Sequence, residues 1–193
     1  LEPGFRQVVE WYSRQGRFFR PWTLASLREA GVSAGMRVLD AGCGGGDTAA
    51  VLLELVGSEG SVVGIDTIPE AVTASQMRFP REQYPNMQFR LLDANRLPFR
   101  REFDAVVGRF MLMYAPEPVE TAAKLAECLR PGGVITFIEP DYTCVRQREH
   151  LPLYRRVQNL IDIALQRIGA DTGIGLNLYR ILRMAGLSDL EVR

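Results

Sequence analysis

The chain has 193 residues, 47% of them hydrophobic and 24% charged, and its 23 basic residues balance its 23 acidic ones. That is the size and mix of one globular domain with a real core, and the zero balance leaves nothing to steer the chain as a whole toward nucleic acid. No apolar run approaches the length of about 18 residues that a membrane span needs. Three widely spaced cysteines, Cys43, Cys128 and Cys144, with no C-x-x-C pair, favour neither a disulfide scaffold nor a zinc site, so no metal is expected. No charged-then-apolar secretory leader is visible, which points to the cytoplasm, although the chain starts at Leu1 and not at a methionine.

Taken in order, residues 5–31 carry helical periodicity in two pieces, FRQVVEWYSRQGRFFR and LASLREAG, with a break at Pro21. Trp11, Tyr12, Phe18 and Phe19 are spaced as a helix face that packs on something, core more readily than ligand. A strand over 37–41 leads into a glycine-rich turn and a helix to about 56. A second strand spans 61–66, and a helix follows from Pro69, a residue suited to a first helical turn. Strands are expected at 88–92 and 104–109, then a helix over 118–129 stopped by PGG at 131–133, then a strand over 134–139. Two helices, 151–168 and 175–185, flank the connector GADTGIG, and GLSDLEVR reads as a helix stop followed by the start of another strand. Strands alternating with helices, each strand nearly continuously apolar, imply a doubly wound, mostly parallel sheet in an α/β domain.

The turn VLDAGCGGG at 38–46 is the strongest signal. Glycine is needed where backbone turns sharply or meets a ligand closely, and a helix N-terminus beyond it offers free N–H groups. The second strand ends at Asp66, 24 positions after Gly42, where a carboxylate can take ribose hydroxyls. A dinucleotide fingerprint would continue as G-x-G-x-x-G, but the last position, counted from Gly42, is Asp47. A negative charge where a pyrophosphate should sit repels it. The ligand therefore has a ribose and no phosphates.

With these motifs the chain resembles the class I S-adenosylmethionine-dependent methyltransferases, of the type acting on small molecules. VLDAGCGGG resembles that family's first motif, VVGIDTIPEAV its second, LLDANRLPF at 91–99 its third, FDAVVGRFMLMY at 103–114 its fourth and LRPGGVITF at 129–137 its post-motif turn and fifth strand. The likeness covers roughly residues 35–140 in the right order.

The resemblance implies a Rossmann-like sheet and S-adenosyl-L-methionine as methyl donor, leaving S-adenosyl-L-homocysteine as product. It implies that the backbone of Gly42, Cys43 and Gly44 passes close to the methionine part, with Asp40 near its ammonium group, directly or through water. Asp66 takes the ribose hydroxyls, Thr67 and Ile68 flank the adenine, Asp93 accepts from its amino group and Ala94 meets the ring edge. Arg109 and Phe110 contact the methionine moiety. Asp93 also reads as a simple turn residue, and Arg109 as a surface ion pair. The base, where one is needed, is left open: His150, the single histidine, competes with Glu139, Asp141 and Tyr142.

GRFM at 108–111 stands where nucleic-acid amino methyltransferases carry an Asn/Asp-Pro-Pro-aromatic turn, and no basic patch with interleaved aromatics is present, so a small-molecule acceptor is expected. Residues 1–34 read as an N-terminal helical cap and 140–186 as a helical insertion over the substrate, within one domain. The family usually ends in two more strands. Their absence from the sequence implies either truncation or a minimal fold, and an open sheet edge invites a homodimer. The alternative function is a non-catalytic S-adenosylmethionine or nucleoside-binding domain acting as a sensor or partner subunit. A nicotinamide oxidoreductase is disfavoured by Asp47 and by the third and fourth motifs.

Overall fold

The computed structural model describes residues 3–142 and 151–192. In chain order the elements are α1 (Pro3–Glu29), β1 (Arg37–Ala41), α2 (Asp47–Val56), β2 (Ser61–Asp66), α3 (Pro69–Arg78), β3 (Met87–Leu91), β4 (Phe103–Arg109), a single 3-10 turn (Leu112–Tyr114), α4 (Pro118–Ala126), β5 (Leu129–Ile138), α5 (Pro152–Arg167) and α6 (Ile174–Met184). They fall into two compact units, Leu1–Arg109 with Lys124–Phe137, and Phe110–Ala123 with Ile138–Arg193.

The first unit is built on a five-stranded sheet of order β3-β2-β1-β4-β5. β1 pairs in parallel with β2 and β4, and β2 with β3. The chain winds from β1 outward to β3, then returns beside β1 as β4, so strand order reverses between β1 and β4. Ligands of open α/β sheets bind at such a reversal, at the carboxyl ends of the strands. Val38, Leu39, Ala41, Val62, Ile65 and Ala105 to Val107 are all buried, as strands covered on both faces require. α2 turns Ala49, Leu52 and Val56 into this core at helical spacing. The doubly wound sheet expected from the sequence is therefore present.

Four local expectations are corrected. Helix α1 does not break at Pro21 but runs through it. Proline there removes one N–H from the ladder, yet the helix is anchored on both sides, by Tyr12 and Gly16 against the glycine loop and α2 on one, and by buried Thr23 and Leu27 on the other. Tertiary packing outweighs propensity. The aromatics of α1 divide: Tyr12 and Phe19 face inward, whereas Trp11 and Phe18 are 57% and 63% exposed. α4 ends at Ala126, because Cys128 N–H closes a turn onto Leu125 O; β5 then starts at Leu129, not at 134, and runs through PGG, which is strand and not the helix stop expected of it. Residues 187–192 form no strand, since Asp189 turns into the left-handed region with φ 54°.

The second unit joins the 3-10 turn to α5 and α6. The connector between those helices is pinned by backbone bonds, Asp171 N–H to Met113 O at 2.8 Å and Tyr142 N–H to Thr172 O at 3.0 Å. α6 buries Ile174, Ile181 and Leu182. On α5 only Asp162 is buried, while Leu153, Val157 and Leu160 are exposed.

Candidate active site

The register of the sheet brings the sequence-predicted acids of the first unit to one rim. Asp40 stands opposite Gly64 of β2 and Val107 of β4, and Asp66 opposite Leu91 of β3. Arg109 follows directly on Gly108, the partner of Ala41. Asp93 lies two residues beyond β3.

Asp40 is the anomaly of this rim. It is 0% exposed, and neither carboxyl oxygen accepts a hydrogen bond of ordinary geometry. A buried polar group without a partner is costly and calls for an explanation. Burial pushes its pKa up to about 8, with Asp66 and Asp47 adding to the rise and Arg109 and the Ala49 N–H opposing it. The rim thus holds a carboxyl that lacks the cation it would need to ionise.

Three amides of the glycine loop are engaged within the protein. Cys43 N–H donates to Ile65 O, Gly46 N–H to Cys43 O, and Gly44 N–H to Asp66 Oδ2, each at 2.9 Å. Asp47 occupies the first turn of α2, but its charge is not bare. Arg78 grips it with two bonds, Nη2 to Oδ1 at 2.7 Å and Nη1 to Oδ2 at 3.1 Å, and also reaches Gly45 O. The repulsion expected from Asp47 alone is therefore softened, and the engaged amides of Cys43, Gly44 and Gly46 add a second argument against a pyrophosphate. Gly44 and Gly46 adopt φ of 51° and 83°, left-handed values that glycine takes without strain. Cys43 is buried, and burial beside Asp40 and Asp66 drives its thiol well above the usual range, which leaves it inert.

Asp66 is held in place by two amides, Gly44 N–H on Oδ2 and Ile68 N–H on Oδ1, both at 2.9 Å. Each oxygen keeps a lone pair for a further donor. Thr67 and Ile68 stand exposed just beyond it, and Ala94 is half-buried. Asp93 is exposed and forms an Asx turn, its Oδ1 accepting Asn95 N–H at 2.8 Å. The turn reading is thus realised, and the same carboxylate retains a second oxygen.

Arg109 is not a surface residue. Its guanidinium is shielded, lies 6.0 Å over the ring of Phe19, and is pushed down by burial against the pull of Asp40 and Asp47. Three features of this region escape sequence reading. Tyr12 lies directly on the loop: a Cβ on Gly44 would meet its ring at 3.0 Å, and one on Gly45 its Cβ at 2.6 Å. Gly16 lets α1 approach so closely that a Cβ there would sit 2.2 Å from Asp47 Cγ. Arg78 stands 31 positions from the acid it neutralises. A glycine inside an otherwise well-formed helix was the available signal for the second; nothing in the sequence marks the third.

In the second unit, Glu139 at the exit of β5 holds the turn after β4. Its Oε1 accepts Met111 N–H at 2.9 Å and Leu112 N–H at 2.8 Å, while its buried Oε2 accepts no hydrogen bond. Burial pushes its pKa up to about 7 against those amides. Phe110, with φ 55°, is held in the left-handed region beside it by its own N–H bond to Ile138 O. Tyr114 and Tyr142 are raised by burial and then by neighbouring charge, Glu139 acting on both and Asp162 on Tyr142. His150 and Cys144 lie outside the described residues. Among the described residues no cluster of His, Cys, Asp and Glu could hold a metal ion, and no helix is long and apolar enough to cross a membrane.

With this rim in view, residues 32–186 match the family described as the methyltransferase domain. The chain belongs to that family. Among curated relatives, this methyltransferase domain is 33% identical to the aklanonic acid methyltransferase DauC of Streptomyces sp. (strain C5) over 72% of the chain and 64% of that protein. It is 28% identical to the demethylmenaquinone methyltransferase of Lactococcus lactis subsp. lactis (strain IL1403), over 72% of the chain and 53% of that protein. The chain thus spans about half to two thirds of these relatives' length. Among solved structures, a SAM dependent methyltransferase from Aquifex aeolicus superposes with a TM-score of 0.66 at 22% identity, covering 85% of this chain and 78% of that one, a likeness of fold.

Proposed function

We propose that this methyltransferase domain binds S-adenosyl-L-methionine along the β2-β1-β4 rim and transfers its methyl group to a small organic acceptor. The observation that carries the reading is the pairing of an orphaned buried carboxyl, Asp40, with a glycine loop in which the Cys43, Gly44 and Gly46 amides are engaged within the protein. Such a rim suits a cationic nucleoside without phosphates. In this reading Asp40 faces the ligand's ammonium group and the backbone of Gly42, Cys43 and Gly44 runs beside its amino-acid part. Asp66 takes the ribose hydroxyls with its two remaining lone pairs, Thr67 and Ile68 flank the base, Asp93 and Ala94 meet its edge, and Arg109 and Phe110 serve the methionine end. The bound donor supplies a methyl group on a sulfonium, already activated for in-line displacement. What remains for the protein is to align the partners and exclude water.

For the acceptor, the segment 140–186 is the proposed source of specificity, and Glu139 the proposed proton acceptor in place of His150. A general base works best with a pKa near the working pH, and Glu139 sits at about 7 with Oε2 uncommitted. The curated relatives are named for aklanonic acid and demethylmenaquinone, which supports a small organic acceptor here. Turnover of methyl-labelled donor against a panel of phenols, enols and carboxylic acids tests the activity. Labelled product from at least one member supports it, and calorimetric binding of NAD with no binding of either sulfur ligand refutes it. For Glu139, log kcat should rise with slope near one up to pH 7 and level off, and Glu139→Gln should remove that limb. A limb that persists in Glu139→Gln assigns the base elsewhere.

A further inference from the structure

Asp40 is inaccessible, its two oxygens accept no hydrogen bond of ordinary geometry, the Ala49 N–H being the nearest donor, and it lies among like charges at the strand-order reversal. The groups that face it can be named element by element. β2 contributes Asp66 and α2 contributes Asp47, both negative, while β4 contributes a cation, Arg109. The loop contributes Cys43, whose thiol stays protonated. From α3, Arg78 is bonded to Asp47 and Gly45 and is spent there. α1 presents Tyr12 to the glycine loop and Phe19 to Arg109. The sum is an acid that stays neutral until a further positive charge enters. A ligand carrying an ammonium group brings that charge.

We propose that Asp40 is a proton-coupled receptor for the ammonium end of the donor: the O–H bond of its carboxyl breaks as the ligand binds, the proton leaves to solvent, and the carboxylate formed pairs with the ammonium. This rests on the proposed binding of S-adenosylmethionine at this rim and adds its regulation. At Asp40 itself the balance is one ammonium group taken up and one proton given up, so the charge around that carboxyl stays constant. Ligand affinity must then follow pH, because protons compete with the ligand for the same carboxyl. Arg109 keeps the competition within the neutral range by partly offsetting the burial of Asp40. A rim with only buried acids would hold its proton more tightly, and one with an ion-paired acid would have none to release.

The test is calorimetric titration of the full chain with S-adenosyl-L-homocysteine, in phosphate and in Tris at pH 7. Those buffers differ widely in ionisation enthalpy, so the difference in apparent heat counts protons. The expected result is release of close to one proton per site. The dissociation constant should tighten about tenfold per pH unit from pH 6 and level off above about pH 8. Asp40→Asn should bind more weakly, release no proton and show a flat pH profile. The wild-type proton count stands alone, so the test does not depend on the variant folding. Equal heats in the two buffers, with clear binding, overturn the coupling while leaving the ligand assignment intact. Release that persists undiminished in Asp40→Asn also overturns it and moves the source to another acid, Glu139 first. Failure of the sulfur ligands to bind at any pH refutes the ligand assignment itself.

Discussion

The glycine-loop rim of the first unit and the β5 exit of the second each bury a carboxyl at the end of a strand, and they treat it in opposite ways. Glu139 has one oxygen gripped by two amides and thereby fixes the turn that follows β4. Neither oxygen of Asp40 accepts a hydrogen bond of ordinary geometry. The surroundings differ in the same sense. The first unit closes its core around β1, with Val38, Leu39 and Leu52 fully buried, whereas α5 in the second turns a row of apolar side chains outward. A carboxyl satisfied by backbone is part of the architecture. One left unsatisfied in a closed core is what the proposed ligand's ammonium group would engage.

The contrast predicts where substitutions will hurt. Leu52→Ala should have the largest effect that does not depend on pH, lowering stability by about 2–5 kcal/mol in urea unfolding, because it empties a site in the closed core. Next comes Asp40→Asn, with the opposite sign. The folded pKa of Asp40 is raised from 3.8 to about 8. A raised acid stabilises the fold fully below the ordinary carboxylate range and loses that contribution as pH climbs to 8, by roughly 1.4 kcal/mol per unit. The asparagine variant lacks this loss, so its melting temperature should gain on wild type between pH 5 and 8 and run parallel above. A gap that stays constant with pH would show that Asp40 is already charged in the free protein.

Gly16→Ala is expected to be intermediate. On an open helix the change would be favourable by about 1 kcal/mol. Here the new Cβ meets Asp47, which Arg78 holds, so a loss of about 1–3 kcal/mol is expected by denaturant unfolding. A gain would mean that α1 does not rest on the loop. Leu160→Ala, at a side chain 67% exposed on α5, should change stability by no more than about 0.5 kcal/mol. A loss as large as that of Leu52→Ala would show that α5 packs as a core helix.

The same contrast marks how far the sequence could be read. The sheet and the rim were legible because backbone geometry imposes residue types there: Gly44 and Gly46 at left-handed φ, Pro69 opening α3, and continuous apolar runs in β1, β2 and β4. Asp40 and Asp66 followed, since strand ends in such a sheet converge. Arg78 and Tyr12 were not legible, because their partners are set by the packing of α3 and α1 and leave no local pattern. The break expected at Pro21 failed for the same reason, as local propensity lost to contacts on both sides. Glu139 could be placed at a strand end but not given its task, which needs Met111 and Leu112 folded over it.

The central claim is that acids on the β2-β1-β4 rim hold a phosphate-free nucleoside, and Asp66 tests it most directly. Calorimetric titration of wild type and Asp66→Ala with S-adenosyl-L-methionine and with NAD should show binding of the sulfur ligand alone. The variant should be weaker by about 1–3 kcal/mol through loss of charge-assisted hydrogen bonds. An unchanged dissociation constant in Asp66→Ala, or tight binding of NAD by the wild type, would contradict it.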